Sequence, residues 1–269
     1  MIQLLQYTFC FAPDTFQGRD AVQWVEADRL GFPPQRVLAS NAFWLYQPYQ
    51  PGDLAPIAME GSGVNLTLWA REQEGGLEGD QRYFHIHELG TEQHGLAQMI
   101  RLRIAPEELG QIPLIDDLLT HPRLRAAYCC DEEDHWMQNA DSPTAYQVRG
   151  RSYAHLDVYF DEEWVEEKID ISHNPGRSTF VHGYELSSCW RMWFGPSFFE
   201  LVSAEHLLAF PQARRAERTD RGHVFIELYA DPFEADLPEH RKAQQAFRDW
   251  IKLEELTEQL KQAEKQVNS

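Results

Sequence analysis

The sequence predicts an α+β fold of largely antiparallel sheets flanked by helices and ending in a C-terminal amphipathic helix. Three observations carry this reading. Short runs of two-residue alternation recur along the chain. The clearest is at residues 99–104, where Met99, Arg101 and Arg103 alternate with Ile100, Leu102 and Ile104 as in a half-buried strand with one polar face. These runs lie among helical stretches without the strict strand–helix–strand alternation that a parallel sheet requires. The tail, residues 238–267, sets Phe247, Trp250, Ile251, Leu253, Leu256 and Leu260 in one apolar stripe.

At the N-terminus Ile2, Leu4, Leu5, Tyr7, Phe9 and Phe11 have the spacing of a strand, which Pro13-Asp14 turns. Residues 20–30 place Val22, Trp24, Val25 and Leu30 near helical spacing, and Gly31 with Pro33-Pro34 stops that helix. Residues 46–63 hold Pro48, Pro51, Gly52, Pro56, Gly61 and Gly63, a density of breakers that predicts a long surface loop. Strands are expected over 64–70 and 83–89, joined by a Glu- and Gly-rich turn at 72–80, and a helix start at Pro106-Glu107-Glu108 follows the 99–104 strand.

Residues 131–150 have the weakest periodicity and predict a boundary or a long connection. This divides the chain softly into an N-terminal half, 1–140, and a C-terminal half, 141–269, a division that one continuous domain would also accommodate. Residues 153–160 and 164–172 alternate on either side of Asp161-Glu162-Glu163, the pattern of a hairpin. Residues 187–194 read as aromatic core and 196–210 as helix. Residues 224–229 read as the last strand, with Val224, Ile226 and Leu228 on its buried face and Phe225, Glu227 and Tyr229 opposite.

With 269 residues, 43% of them hydrophobic, the chain can bury a sizeable core. Its 24 Lys and Arg stand against 43 Asp and Glu, a net charge of −19 that disfavours nucleic acid and anionic lipid and attracts basic partners. The four cysteines, Cys10, Cys129, Cys130 and Cys189, are too few for a disulfide scaffold and form no CxxC pair, which points to a reducing compartment. No basic segment with a cleavage site opens the sequence, and no apolar run nears the roughly 20 residues of a membrane span. A soluble cytoplasmic protein is the expectation.

Two constellations could carry chemistry. Asp157 followed by Glu166-x-Lys168 has the make-up of divalent-metal nucleases of the restriction-endonuclease type, in which two carboxylates hold the cation and a lysine supports the attacking water. The usual proline before the first Asp is absent, and a solvated hairpin face with an ion pair explains the same residues. His85-x-His87, followed by Glu88, sets two imidazoles on one strand face, with His94, His121, His135 and His155 as equivalent choices for a third metal ligand. Hydrogen-bonded histidines on a half-exposed strand are the ordinary alternative. GxSxG, HExxH, GxxxxGK[ST] and GxGxxG are all missing.

The acidic runs point elsewhere. Asp131-Glu132-Glu133-Asp134 precedes His135-Trp136, and Asp161-Glu162-Glu163 precedes Trp164, so each run abuts a large aromatic side chain. Charges that steer and aromatics that anchor are what a surface for a basic protein combines. Solvated acidic loops beside core tryptophans are the plainer alternative.

The C-terminal third contains Trp190-Arg191-Met192-Trp193-Phe194-Gly195-Pro196, then HVFIELYADP at 223–232 and RKAQQAFR at 241–248. In these it resembles the immunity proteins of bacterial polymorphic-toxin and type VI secretion systems, most closely the immunity protein 52 family, over about residues 185–255. The motifs are structural rather than catalytic. The resemblance implies a cytoplasmic antitoxin that binds and neutralises a secreted effector, a nuclease toxin, without cofactor, metal or catalytic residue of its own. The expected contacts, chosen from local chemistry, are Asp131, Glu132, Glu133, Asp134, Trp136, Asp161, Glu162, Glu163 and Trp164. The rival readings are a metal-dependent nuclease using Asp157, Glu166 and Lys168, and a self-associating scaffold, such as a homodimer, built on the C-terminal helix.

Overall fold

The computed structural model describes residues 3–39, 47–50, 52, 54, 64–70, 82–89 and 96–267. Strand β1 (Leu5–Phe11) is central because both of its faces are apolar enough or satisfied enough to be covered: all seven residues are buried, Gln6 and Thr8 included. On one side it pairs antiparallel with β6 (Ala97–Ile104), Phe9 opposite Ile100, and on the other with β7 (Leu124–Asp131), Phe9 opposite Ala127.

From β6 the sheet continues antiparallel through β5 (Tyr83–Leu89), β4 (Leu66–Trp69), β2 (Arg36–Ala39) and β3 (Gln47–Pro48). From β7 it continues through β12 (Arg191–Phe194), β14 (Val224–Glu227) and β13 (Arg215–Arg218). Among the described residues this makes ten strands in the order β13-β14-β12-β7-β1-β6-β5-β4-β2-β3. The sheet therefore crosses the soft boundary at residue 140 without a break, since β7 joins β1 to β12. The α+β class with antiparallel pairing is what the alternating segments predict.

Pairing register sorts the side chains onto two faces. Leu5, Tyr7, Phe9 and Phe11 share one face with Leu102, Ile104 and Phe84, and there α1 (Gly18–Glu26) docks through Trp24, whose ring stands edge-on to Phe84 at 6.0 Å. Ile115 and Leu118 of α2 (Pro113–Leu119) join the same apolar cluster. Phe194 lies on the other face, where it meets Phe198 and Phe247. Phe247 belongs to α6 (Pro238–Trp250), which is followed by α7 (Leu253–Val267). The predicted single C-terminal helix is thus two, broken where Lys252 takes a left-handed φ of 51°. Between β12 and β13 the expected helix at 196–210 is also split, into a 3-10 turn (Pro196–Glu200) and α5 (Ala204–Leu208), which Ser203 caps.

Residues 131–150 are not a connection. They hold the end of β7, then α3 (Glu132–Asn139) and α4 (Pro143–Val148). The pattern escaped because the inward residues of α3 are Glu132, Asp134 and Gln138 rather than apolar ones. The expected hairpin is present as β8 (Val158–Asp161) and β9 (Glu166–Ile169), a separate two-stranded ribbon, as is β10 (Thr179–Val181) with β11 (Tyr184–Leu186). Both faces of the segment 224–229 are buried: Phe225, Glu227 and Tyr229 are covered as well as Val224, Ile226 and Leu228. No helix of the described residues is long and apolar enough to cross a membrane.

Candidate partner-binding surface

The β8–β9 ribbon carries the candidate surface. Asp161 organises its tip: one carboxylate oxygen accepts the backbone amides of Glu163 at 3.0 Å and Trp164 at 3.1 Å. The other lies 3.0 Å from the Lys168 ammonium, which also reaches Glu166 at 3.9 Å and the Trp164 ring at 5.6 Å. The Lys168 contact and the two amides hold the Asp161 carboxyl below the ordinary range, and Asp161 in turn holds the Lys168 ammonium above its own. Val165 completes the turn at φ 56°, a left-handed conformation that disfavours a β-branched side chain.

What this tip displays is apolar. Phe160 is 59% exposed, Trp164 67% and Val165 73%, and Val158, Tyr159 and the nearby Val148 are exposed as well. Scattered exposed apolar residues are ordinary, but here five of them belong to one short ribbon, Val158 and Phe160 on the face of Glu167 and Tyr159 with Trp164 on the face of Lys168. Asp161, Glu162, Glu163, Glu166 and Glu167 stand between them. At its base the ribbon is held by buried Ile169, whose amide donates to the Asp141 carbonyl at 2.6 Å.

The first acidic run has a different fate. Asp131 caps α3, accepting the Glu133 amide at 3.3 Å, and burial pushes its carboxyl up to about 6. Glu132 is buried and shared by Arg103 at 2.9 Å and Arg149 at 3.0 Å. Glu133 binds Arg149 at 3.1 Å and Arg151 at 2.6 Å, and buried Asp134 is held by Arg241 at 3.2 Å. Trp136 is half-buried, with Arg149 over its face at 4.4 Å and Tyr146 at 4.8 Å. The expectation of an exposed acidic loop at 131–134 is corrected: Glu132, Glu133 and Asp134 are paired with arginines within the fold, and Asp131 caps the helix.

The two metal hypotheses fare similarly. Lys168 is engaged by Asp161, and Asp157 lies outside the strand, its carbonyl accepting the Asp170 amide at 2.8 Å. His85 and His87 do share a face, their rings stacked at 4.2 Å, but burial and neighbouring positive charge push them down to about 3 and about 4. His121 packs instead against Phe11 and Phe16, and His94 lies outside the described residues. Among the described residues no three His, Cys, Asp or Glu side chains converge to hold a metal ion.

No family model and no curated protein matches this chain. The segments that carry the resemblance to immunity proteins lie in β12, β14 and α6. There Trp190 donates its indole N–H to the Tyr229 carbonyl at 2.9 Å, and Glu227, 1% exposed, binds Arg191 at 2.6 Å and also Arg214. They build the core. Sequence reasoning found Asp161 to Trp164 but missed Tyr159, Phe160 and Val165 as surface, because alternation reports which side chains share a face, not whether anything covers it.

Proposed function

We propose that this protein is a non-enzymatic inhibitor that binds a basic secreted toxin, a nuclease in the simplest case, through the tip of the β8–β9 ribbon. The single observation that carries the reading is the exposure of Phe160, Trp164 and Val165 on one short ribbon whose sequence also carries Asp161, Glu162, Glu163, Glu166 and Glu167. Aromatic anchors surrounded by charge are the make-up of an interface hot spot, and the acids select a basic partner and speed its approach. Folding gives no reason for the arrangement: Val165 holds a costly backbone conformation without gaining buried contact. The net charge of −19 and the resemblance of residues 185–255 to immunity proteins support the same reading. Four unpaired, buried thiols suit a reducing compartment, and the cytoplasm is the proposed one.

The test pairs the purified protein with the product of the adjacent gene, the usual place for a cognate toxin. Tight one-to-one binding with loss of toxin activity supports the inhibitor. Self-association that truncation after about Trp250 dissolves, with no toxin binding, supports the scaffold instead. Magnesium-dependent cleavage by the protein alone, abolished by Glu166→Ala, overturns the proposal in favour of the nuclease.

A further inference from the structure

A cavity of about 260 Å³ lies between strands β5 and β6 and helix α3, lined among others by Tyr83, Arg101, Arg103, His135 and Trp136. It is near the lower end of the sizes that hold small molecules. Its cations are unequally served. Arg103 binds Glu132 at 2.9 Å, donates from its Nε to Gln6 Oε1 at 3.1 Å and stacks on Tyr83 at 4.4 Å. Arg101, two residues earlier on the same strand face, is half-buried, forms no ion pair among the described residues, and has its Nε buried without a hydrogen-bond partner.

Among the described residues no carboxylate comes within ion-pair distance of that guanidinium. His85 stands directly opposite it on β5, and His87 and His135 are also close enough to feel its charge. All three imidazoles are held neutral, His135 pushed down to about 3 by burial and by Arg101 and Arg103. His87 Nδ1 is a second buried atom without a partner. Of the nearby acids, Glu132 is shared by two other arginines. Glu185 feels the Arg101 charge, but burial outweighs it and pushes that carboxyl up, and Asp141 lines the cavity without pairing to Arg101. A guanidinium without an ion pair, its Nε buried and unpartnered beside neutral imidazoles, is costly unless something completes it.

We propose that this cavity binds a small-molecule oxyanion, with the Arg101 guanidinium as its principal ligand. The planar fork of donors matches two oxygens of a phosphate or carboxylate, and an imidazole N–H supplies a further donor. The site is separate from the ribbon tip and does not depend on the toxin-binding reading.

The experiment follows the melting temperature and the histidine side-chain NMR signals of the full chain while inorganic phosphate, or in a second arm acetate, is added against chloride at matched ionic strength. Saturable stabilisation with shifts at His85, His87 and His135 is expected from at least one oxyanion, and the arm that responds names the ligand class. Arg101→Gln should abolish both responses, yet fold as well as the parent without anion, since it removes an unpaired charge. Arg101→Lys keeps the charge without the fork and should weaken binding about tenfold. It also preserves the test if the glutamine variant fails to fold. No response beyond that to chloride, or the same response in either variant, would overturn the proposal.

Discussion

Lys168 and Asp161 face each other across the β8–β9 ribbon at 3.0 Å, and the same ammonium lies 5.6 Å from the centre of the Trp164 ring. The residue that a nuclease would need beside its metal is therefore the one that holds the carboxylate capping the tip. The pair lies on the surface, where such contacts add little to global stability. Lys168→Met is expected to move the melting temperature by no more than about 2 °C. It should weaken toxin binding nonetheless, because it frees the turn that presents Trp164. Calorimetric melting together with titration calorimetry checks both halves.

The acids of α3 should behave in the opposite way. Glu132 is buried between Arg103 and Arg149, so Glu132→Ala leaves two guanidinium groups without their shared carboxylate. Breaking a buried pair from one side costs about 3–5 kcal/mol. Urea denaturation should register a loss of that order, while the folded fraction retains its affinity for the toxin. A stable variant with weakened binding would return the α3 acids to the interface.

The contrast between the two acidic runs shows what the sequence discloses. Both consist of acids followed by a tryptophan, yet one is wired to Arg103, Arg149 and Arg241 and the other projects into solvent. Those arginines are 16 to 107 residues away in the chain, so local pattern does not reveal the pairing. Strands with one polar face, such as β6, were legible from their period. Strand β7 was not, because Leu124, Ala126, Ala127, Tyr128, Cys129 and Cys130 are buried on both faces and leave no alternation to read. The hairpin was legible in its turn residues and alternation; its lack of a cover was not.

Acid should unfold the protein through its histidines. His85, His87 and His135 titrate at about 3, 4 and 3 in the fold, against about 6.5 in an unfolded chain. Groups depressed in this way contribute stability that is complete above pH 6.5 and is lost as pH falls from there toward 3, because the unfolded state binds the protons first. Asp131, raised to about 6, works the other way, its contribution lost as pH rises through 6. Three imidazoles outweigh one carboxylate, so melting temperature should fall by several degrees between pH 6.5 and 4. Replacing His135 with asparagine should flatten that slope; an unchanged slope would mean that His135 binds its proton as readily in the fold as in the unfolded chain.

Gly195 sits where β12 leaves the sheet, its amide donating to the Arg125 carbonyl at 2.9 Å. A Cβ added there would overlap the carbonyl oxygen of Leu124, which belongs to the strand itself and has no room to retreat. Gly195→Ala should therefore cost about 3 kcal/mol or more by separating β12 from β7. Chemical denaturation gives the value, and a cost below about 1 kcal/mol would show that the strand end yields.

The most direct test of the account replaces Phe160 and Trp164 together with alanine and measures protection against the product of the adjacent gene, the proposed toxin, both by binding and by survival of cells expressing it. Both side chains are mostly exposed, so the variant should melt within about 2 °C of the parent. If the ribbon tip is the hot spot, affinity should fall by at least about 100-fold, the loss expected when two aromatic anchors are truncated, and protection should fail. Full affinity and full protection in a folded double variant would contradict the account.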